Sequence, residues 1–282
     1  MNKRTLNLLR KAHTGKGRIT VIPQKDTIMK FLNMDLLSLE KGEASSLGEP
    51  ERELGLVILG GHCLVALPGC AETVLKARSK PFIGWPHAVY IPAGENITIK
   101  ALTSMEAVIF GTPAERGEKV QIISPDDIEV LKIGAGNWYL EGTFIIYDKV
   151  PSKRLIVGET HIPAGNWCSS PPHSHEKDVA GIETQLEEIY YFRFQPSQGF
   201  GFQGVYTLDG EIEAAYLIHD GDVVLVPRGM HPNVAGPGYE MYMLWGMAVQ
   251  KIKNANPDWI MPMVAGNDYV MFLKQFFDFG LK

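Results

Sequence analysis

The stretch VVLVPRGMH, residues 223–231, is a short apolar β run that stops at a Pro-x-Gly turn and ends on a histidine. An earlier stretch, AVYIPAGEN at 88–96, overlays it: Pro92 matches Pro227, Gly94 matches Gly229, and Asn96 falls where His231 stands. Upstream of each copy lies another apolar run, RELGLVILGG (52–61) and LEEIYYFRF (186–194), and the overlay sets Glu53 opposite Glu188. Self-similarity of this kind is the mark of one structural module used twice. The module is β. Runs such as ITIKAL (97–102), EAVIFGT (106–112), RLIVGETHIPAG (154–165), GFQGVYTL (201–208) and MYMLWGMAV (241–249) are short, rich in β-branched and aromatic residues, and bounded by glycine or proline. Their spacing predicts sandwiches or barrels rather than β-α-β units.

Two stretches read differently. In ISPDDIEVL (123–131), Ser124 offers a helix N-cap, Pro125 a first-turn residue and acids follow, which predicts a short helical linker between the modules. In DYVMFLKQFFDFG near the C-terminus, Tyr269, Phe272, Leu273, Phe276 and Phe277 recur at helical spacing before Gly280. That helix would either pack as a lid on its own barrel or form a subunit contact. The expected fold is all-β, two β-barrel or jelly-roll domains at 1–122 and 123–282, with a short helical linker and a C-terminal helix.

Composition narrows the function classes. The 282 residues are 45% apolar, enough for a substantial core, and the net charge is −5 without a long basic run. This disfavours nucleic-acid and membrane-surface partners. Cys63, Cys70 and Cys168 form no C-x-x-C pair, so a disulfide framework is not expected and a cytoplasmic location is. The basic N-terminus carries only the short apolar run Leu6–Leu9, too interrupted for a signal peptide.

The chemistry concentrates in PPHSHEKD, 171–178. Two prolines discourage a helix, so His173 and His175, at i and i+2, are expected to project from one face of a strand or strand edge. Downstream, Glu187 or Glu188 at the mouth of a β run and His231 after the Pro-x-Gly turn can reach the same point. Three imidazoles and one carboxylate leave open positions on a divalent cation, the pattern of a catalytic rather than a closed structural centre. The alternative is a barrel whose polar residues line a pocket without metal. His62, His87, His161, His219 and His13 lack such companions and read as structural or surface residues.

The order His-x-His, Glu before a β run, then Gly-Asp…Pro-x-Gly…His resembles the two cupin motifs. Glu188 is preferred over Glu187, because strand alternation places only one of the two inward, with Tyr190 and Phe192 on its face. Two departures stand out: the interval 176–187 before Glu188 is longer than the motif usually has, and only Met230 separates Gly229 from His231. The longer stretches GNWCSSPPHSHEKD, LEEIYYFRFQPSQGFGFQGVYT, DGDVVLVPRGMHPNVAGPGYEMYML and NPDW resemble the bicupin family of 5-deoxy-glucuronate isomerases of inositol breakdown, related to 5-keto-4-deoxyuronate isomerase. The resemblance is dense from Gly165 to Trp259 and thinner in the first half. It implies the metal ligands His173, His175, Glu188 and His231, a divalent metal (zinc first, with manganese, iron, cobalt or nickel suited to the same donors), a small sugar-acid substrate and a homo-oligomer. For proton transfer or substrate orientation the candidates are Tyr190, Gln203, Tyr242 and Arg228, the last also suited to a substrate carboxylate. A cupin dioxygenase and a non-catalytic sugar-binding bicupin are the competing readings.

Overall fold

The computed structural model describes residues 6–12, 15–117, 119–177 and 184–250. In chain order its strands are β1 Leu9–Lys11, β2 Gly17–Ile22, β3 Asn33–Leu39, β4 Ala44–Leu47, β5 Arg52–Gly60, β6 His62–Ala66, β7 Thr73–Lys76, β8 Ala88–Ile91, β9 Ile97–Ala101, β10 Met105–Pro113, β11 Gln121–Ile123, β12 Val130–Ile133, β13 Leu140–Ile146, β14 Leu155–Ile162, β15 Trp167–Cys168, β16 Leu186–Gln195, β17 Phe200–Tyr206, β18 Glu213–His219, β19 Asp222–Val226, β20 Asn233–Ala235 and β21 Glu240–Val249. They form a six-stranded sheet, β11-β8-β5-β10-β3-β2, with a four-stranded partner, β4-β9-β6-β7. The second pair is a seven-stranded sheet, β1-β19-β16-β21-β14-β13-β12, with a four-stranded partner, β15-β20-β17-β18. The expected all-β, two-barrel architecture is the observed one.

The two large sheets are built alike. The order β8-β5-β10-β3-β2 in one matches β19-β16-β21-β14-β13 in the other. Each also takes an outer strand from the segment preceding the opposite barrel: β1 joins β19, and β11 joins β8. The inner strands of both large sheets are buried on both faces, which is why β5, β8, β10, β14, β16, β19 and β21 read as near-continuous apolar runs. In the first, Leu37, Leu54, Leu56, Ile58 and Ile109 fill the first barrel, while Met34, Leu36, Val57, Val108 and Phe110 belong to a core shared with the second half.

The ladders correct the overlay of the two copies. Leu54 pairs with Ile91, the residue before Pro92, and Glu188 pairs with Val226, the residue before Pro227. Leu54 is therefore the counterpart of Glu188, and Glu53 that of Glu187. A slip of one residue exchanges the faces of a strand, and the chemistry follows the face. Glu53 accepts N–H bonds from Lys153, Arg154 and Leu155 at 2.7–2.8 Å, and a bond from the Tyr90 hydroxyl at 2.8 Å. Glu187 accepts from the backbone of Lys30, Phe31 and Leu32 at 2.8–3.2 Å. Each barrel thus holds the segment leading into a strand of the other through one fully buried carboxylate. Charge-assisted bonds of this kind are the strong ones. Glu187→Gln is expected to lower unfolding stability by about 2–3 kcal/mol, since the neutral amide has one oxygen for several donors and presents an NH2 to the rest; chemical denaturation measures this.

The expected helical linker shrinks to a single 3-10 turn, Pro125–Asp127. The Asp127 carboxylate accepts bonds from both the backbone N–H and the hydroxyl of Ser124, at 2.8 and 2.7 Å. The chain then turns into β12, where Val130 pairs with Thr143. Tertiary pairing of Val130–Ile133 overrides a start signal that had no helical apolar stripe behind it. The expected C-terminal helix and the NPDW stretch lie outside the described residues. None of the described helices is long and apolar enough to cross a membrane.

Candidate metal centre

The second barrel brings three of the predicted ligands together on its inner side. Ligand atoms of His173, His175 and His231 all lie within 4.8 Å of one another. Their ring centroids are 4.6–5.1 Å apart, and the two Nε2 atoms of His173 and His231 are 3.3 Å apart. Glu188 Oε2 stands 3.5 Å from His231 Nε2 and 3.9 Å from His175 Nε2. Glu187, one residue earlier, faces the first half instead. His173 and His175 do not sit in a strand as the sequence suggested. The β15 ladder ends at Cys168, and 172–177 is an irregular segment that the two prolines keep out of any helix. The end of the long interval is pinned where Leu186 N–H donates to the His175 carbonyl at 3.2 Å.

His231 is held by two devices. Its Nδ1 lies 2.8 Å from the Gly229 carbonyl, so Nδ1 carries the proton and Nε2 offers its lone pair to the cluster. Gly229 has φ +98°, and a Cβ there would sit 2.6 Å from the Tyr206 carbonyl; this tight turn delivers His231 to the site despite the short Gly229–His231 interval. Gln203, fully buried on β17, donates its amide to the carbonyls of Gly204, His231 and Pro232 at 2.7–3.2 Å. It grips the backbone of the ligand-bearing turn.

Electrostatics follow from burial. Burial, then the neighbouring His173, holds His231 down to about 3 against the pull of the Gly229 carbonyl, and His175 is lowered for the same kind of reason. Burial pushes the Glu188 carboxyl up to about 8, partly opposed by a hydrogen bond from Tyr190. His175 and His231 are therefore neutral. Two of the buried atoms, His175 Nε2 and Glu188 Oε2, have no hydrogen-bond partner in the protein. Unpartnered buried acceptors are costly and rare. Imidazole nitrogens and a carboxyl converging on one place are what a borderline divalent cation takes up, the carboxyl proton being given up as the cation binds. The residues fit the ion.

The other sequence candidates separate. Tyr190 is in the site: it is buried, packs 5.9 Å from the His231 ring and bonds the Glu188 carboxylate. Gln203 touches the backbone of His231 rather than the space between the imidazoles. Arg228 is spent on the rim, 3.0 Å from Asp209, 2.6 Å from Glu211 and 3.7 Å from Glu176. Tyr242 is opposite Arg193 in the β16–β21 ladder, on the face away from Glu188, and its hydroxyl donates to Glu159 at 2.7 Å. Sequence reasoning assigned no role to Cys168 or Ser169, which line the site beside Tyr190: the Cys168 thiol is pushed up to about 12, first by burial, and the Ser169 hydroxyl is 3.4 Å from the Tyr190 hydroxyl. In the first barrel the positions of Glu188 and His231 hold Leu54 and Asn96, and no comparable cluster exists there among the described residues. A cavity of about 450 Å³ at that barrel, lined by Ser46, Asn96 and Thr98 with apolar neighbours, lacks this chemistry.

The sequence profile of the KduI/IolB family matches residues 7–261. The 5-deoxy-glucuronate isomerase of Geobacillus kaustophilus (strain HTA426) is 33% identical over 260 residues, covering 87% of this chain and 91% of that protein. The 5-deoxy-glucuronate isomerase of Bacillus subtilis (strain 168) is 30% identical over 222 residues, 78% and 82% of the two chains. Among solved structures, an IolB-like protein from Salmonella typhimurium LT2 superposes with a TM-score of 0.82 at 32% identity, over 88% of this chain and 95% of that one. The Lactobacillus farciminis oxalate decarboxylase formate complex aligns with a TM-score of 0.65 at 15% identity over 95% and 91%, a likeness of fold alone. A two-barrel frame shared with such structures, and relatives alike along most of their length, make this chain a member of the KduI/IolB family of isomerases.

Proposed function

We propose that the chain is a metal-dependent aldose–ketose isomerase that converts 5-deoxy-glucuronate to 5-dehydro-2-deoxy-gluconate in inositol breakdown, with His173, His175, Glu188 and His231 holding a divalent cation, zinc first. The observation that carries this reading is the pair of buried, unpartnered acceptors, His175 Nε2 and Glu188 Oε2, pointing with His231 Nε2 at one place. The substrate assignment rests on the relatives' names. As working expectations, the three cysteines, all free, suit the cytoplasm, and the enzyme is a homo-oligomer.

The reaction moves a proton between adjacent carbons, one bearing an aldehyde and the other a hydroxyl. A divalent cation at this centre supplies Lewis-acid polarisation of the substrate carbonyl, which acidifies the neighbouring C–H. The protein's residues do the rest. Burial keeps His175 and His231 neutral, so they add no positive charge to repel the cation. Glu188 contributes the compensating negative charge once its proton is displaced. Tyr190 fixes the Glu188 carboxylate and presents the phenol nearest the reacting atoms, the group best placed of the four sequence candidates to hold a proton in transit. The closed barrel around His231 and Glu188 keeps bulk water from competing.

Metal analysis of the purified protein, paired with an isomerase assay before and after chelation, tests the proposal. Stoichiometric divalent metal, loss of turnover on its removal and recovery on its return are expected. Full turnover in verified metal-free protein would refute the metal role, and oxygen consumption with turnover that stops under anaerobic conditions would replace isomerisation by dioxygenase chemistry.

A further inference from the structure

Burial is graded around the cluster: His231, Glu188 and His175 are buried, whereas Ser169, Ser170, His173 and Ser174 are half-buried and Pro171 and Pro172 exposed. At its start, Ser169 is the only non-glycine among the described residues with positive φ, +51°. An L side chain is disfavoured in that region, where glycine sits without penalty. A turn that needed only this backbone shape would be served better by glycine. What serine adds is a hydroxyl, and the hydroxyl has a specific place: 3.4 Å from the Tyr190 hydroxyl, which itself holds Glu188, and 4.0 Å from the buried Cys168 sulfur. Strained residues of this kind cluster where a ligand must be positioned.

We infer that Ser169 is a substrate-orienting residue, whose hydroxyl bonds an oxygen of the open-chain sugar acid on the accessible side of the metal centre. A hydroxyl both donates and accepts, so it suits a substrate in which a carbonyl and a hydroxyl exchange identity on neighbouring carbons. It stands 3.4 Å from the Tyr190 hydroxyl on a half-buried segment. The inference rests on the isomerase reading for the substrate class, and on the fold alone for the position of the hydroxyl.

The test uses Ser169→Gly and Ser169→Ala in the full-length, metal-loaded protein. Glycine relieves the backbone while deleting the hydroxyl; alanine deletes the hydroxyl and keeps the strain. Both are expected to lower kcat/KM for 5-deoxy-glucuronate by about ten- to a hundredfold, with metal content unchanged, while the glycine variant melts at or above the wild-type temperature. A glycine variant within twofold of wild type overturns the inference. So does a loss of activity that tracks loss of metal or of fold in both variants. Calorimetric binding of D-gluconate, a sugar acid that cannot isomerise for want of an aldehyde or ketone, separates this inference from the isomerase reading. Wild-type protein that binds gluconate but turns over no 5-deoxy-glucuronate defeats the isomerase reading, and Ser169 is then judged by gluconate affinity: about fivefold weaker binding or more in Ser169→Gly supports it, and unchanged binding overturns it.

Discussion

Glu188→Gln is expected to release tightly bound metal and to lower kcat/KM by about a thousandfold or more, the scale of losing a group on which the reacting charge depends. Glutamine keeps the shape of the side chain and one oxygen, but it cannot supply the negative charge that imidazole ligands leave to this position. The same substitution should not harm the fold. In the metal-free protein the carboxyl is buried at 2% exposure, is pushed up to about 8 by that burial, and leaves Oε2 without a partner. Removing an ionisable group from such a place relieves a cost, so the metal-free variant is expected to melt at or above the metal-free wild type. The adjacent Glu187→Gln makes the contrast: it should lose stability and keep its metal, because its carboxylate serves the backbone of the first half on the other face of the same strand. Metal content by mass spectrometry, turnover and melting of the two variants decide the matter. A Glu188→Gln protein that keeps both metal and activity sinks the four-ligand centre.

That contrast also shows where the sequence was legible. The nine β runs with strong apolar character are all strands: burial on two faces writes seven of them as near-continuous Val, Ile, Leu and aromatic residues, and β9 and β17 of the small sheets alternate buried with more exposed residues. Buried β3 was not seen, its apolar run broken by Asn33, Asp35 and Ser38, and among the outer strands β1, β7, β12 and β18 are short or carry charge, their pairing dictated by a distant partner, as when Leu9–Lys11 lines up beside Val224, Val223 and Asp222. At the site, motif order selected the cluster, since His173, His175, Glu188 and His231 needed only rough spacing to be noticed. Face assignment across strands was beyond it. Tyr242 looked equivalent to Tyr190 on a nearby apolar run, yet the ladder sets it beside Arg193 and so behind the sheet. Arg228 looked free until Asp209 and Glu211 folded onto it. Ser169 carried no sequence signal, for a positive φ at a serine is visible only in the folded backbone.

The group behind the sheet has its own consequence, the largest expected for stability. Arg78, from the first half, forms a two-pronged ion pair with Glu159 of β14, both bonds 2.7 Å, and also donates to the Tyr242 hydroxyl at 3.1 Å. Neither partner is accessible: the side chains are 2% and 0% exposed. Burial by itself pushes the Glu159 carboxyl up, but the Arg78 charge and bonds from His161 and Arg78 overcome it, so the group ends below the usual carboxylate range. Arg78→Met strands that carboxylate and is expected to cost about 3–5 kcal/mol of unfolding stability at neutral pH, the scale of an uncompensated buried charge. Arg78→Met with Glu159→Met removes the charge along with its partner and should recover most of the loss, because two apolar side chains can replace a buried pair at little net cost. The pH dependence has a fixed sign. A carboxyl depressed in the folded state contributes stability in full above its unfolded value and loses it as pH falls through the folded one. Wild-type stability should therefore fall on acidification below the ordinary carboxylate range, and the double variant should lack that share of the slope. In Arg78→Met the carboxyl, no longer depressed, rises with its burial, so the sign reverses and acidification should first stabilise this variant relative to its value at neutral pH. Denaturant titrations of the three proteins across the acid range measure both effects, and an Arg78→Met protein as stable as wild type at neutral pH would show that the pair does not hold the two barrels together.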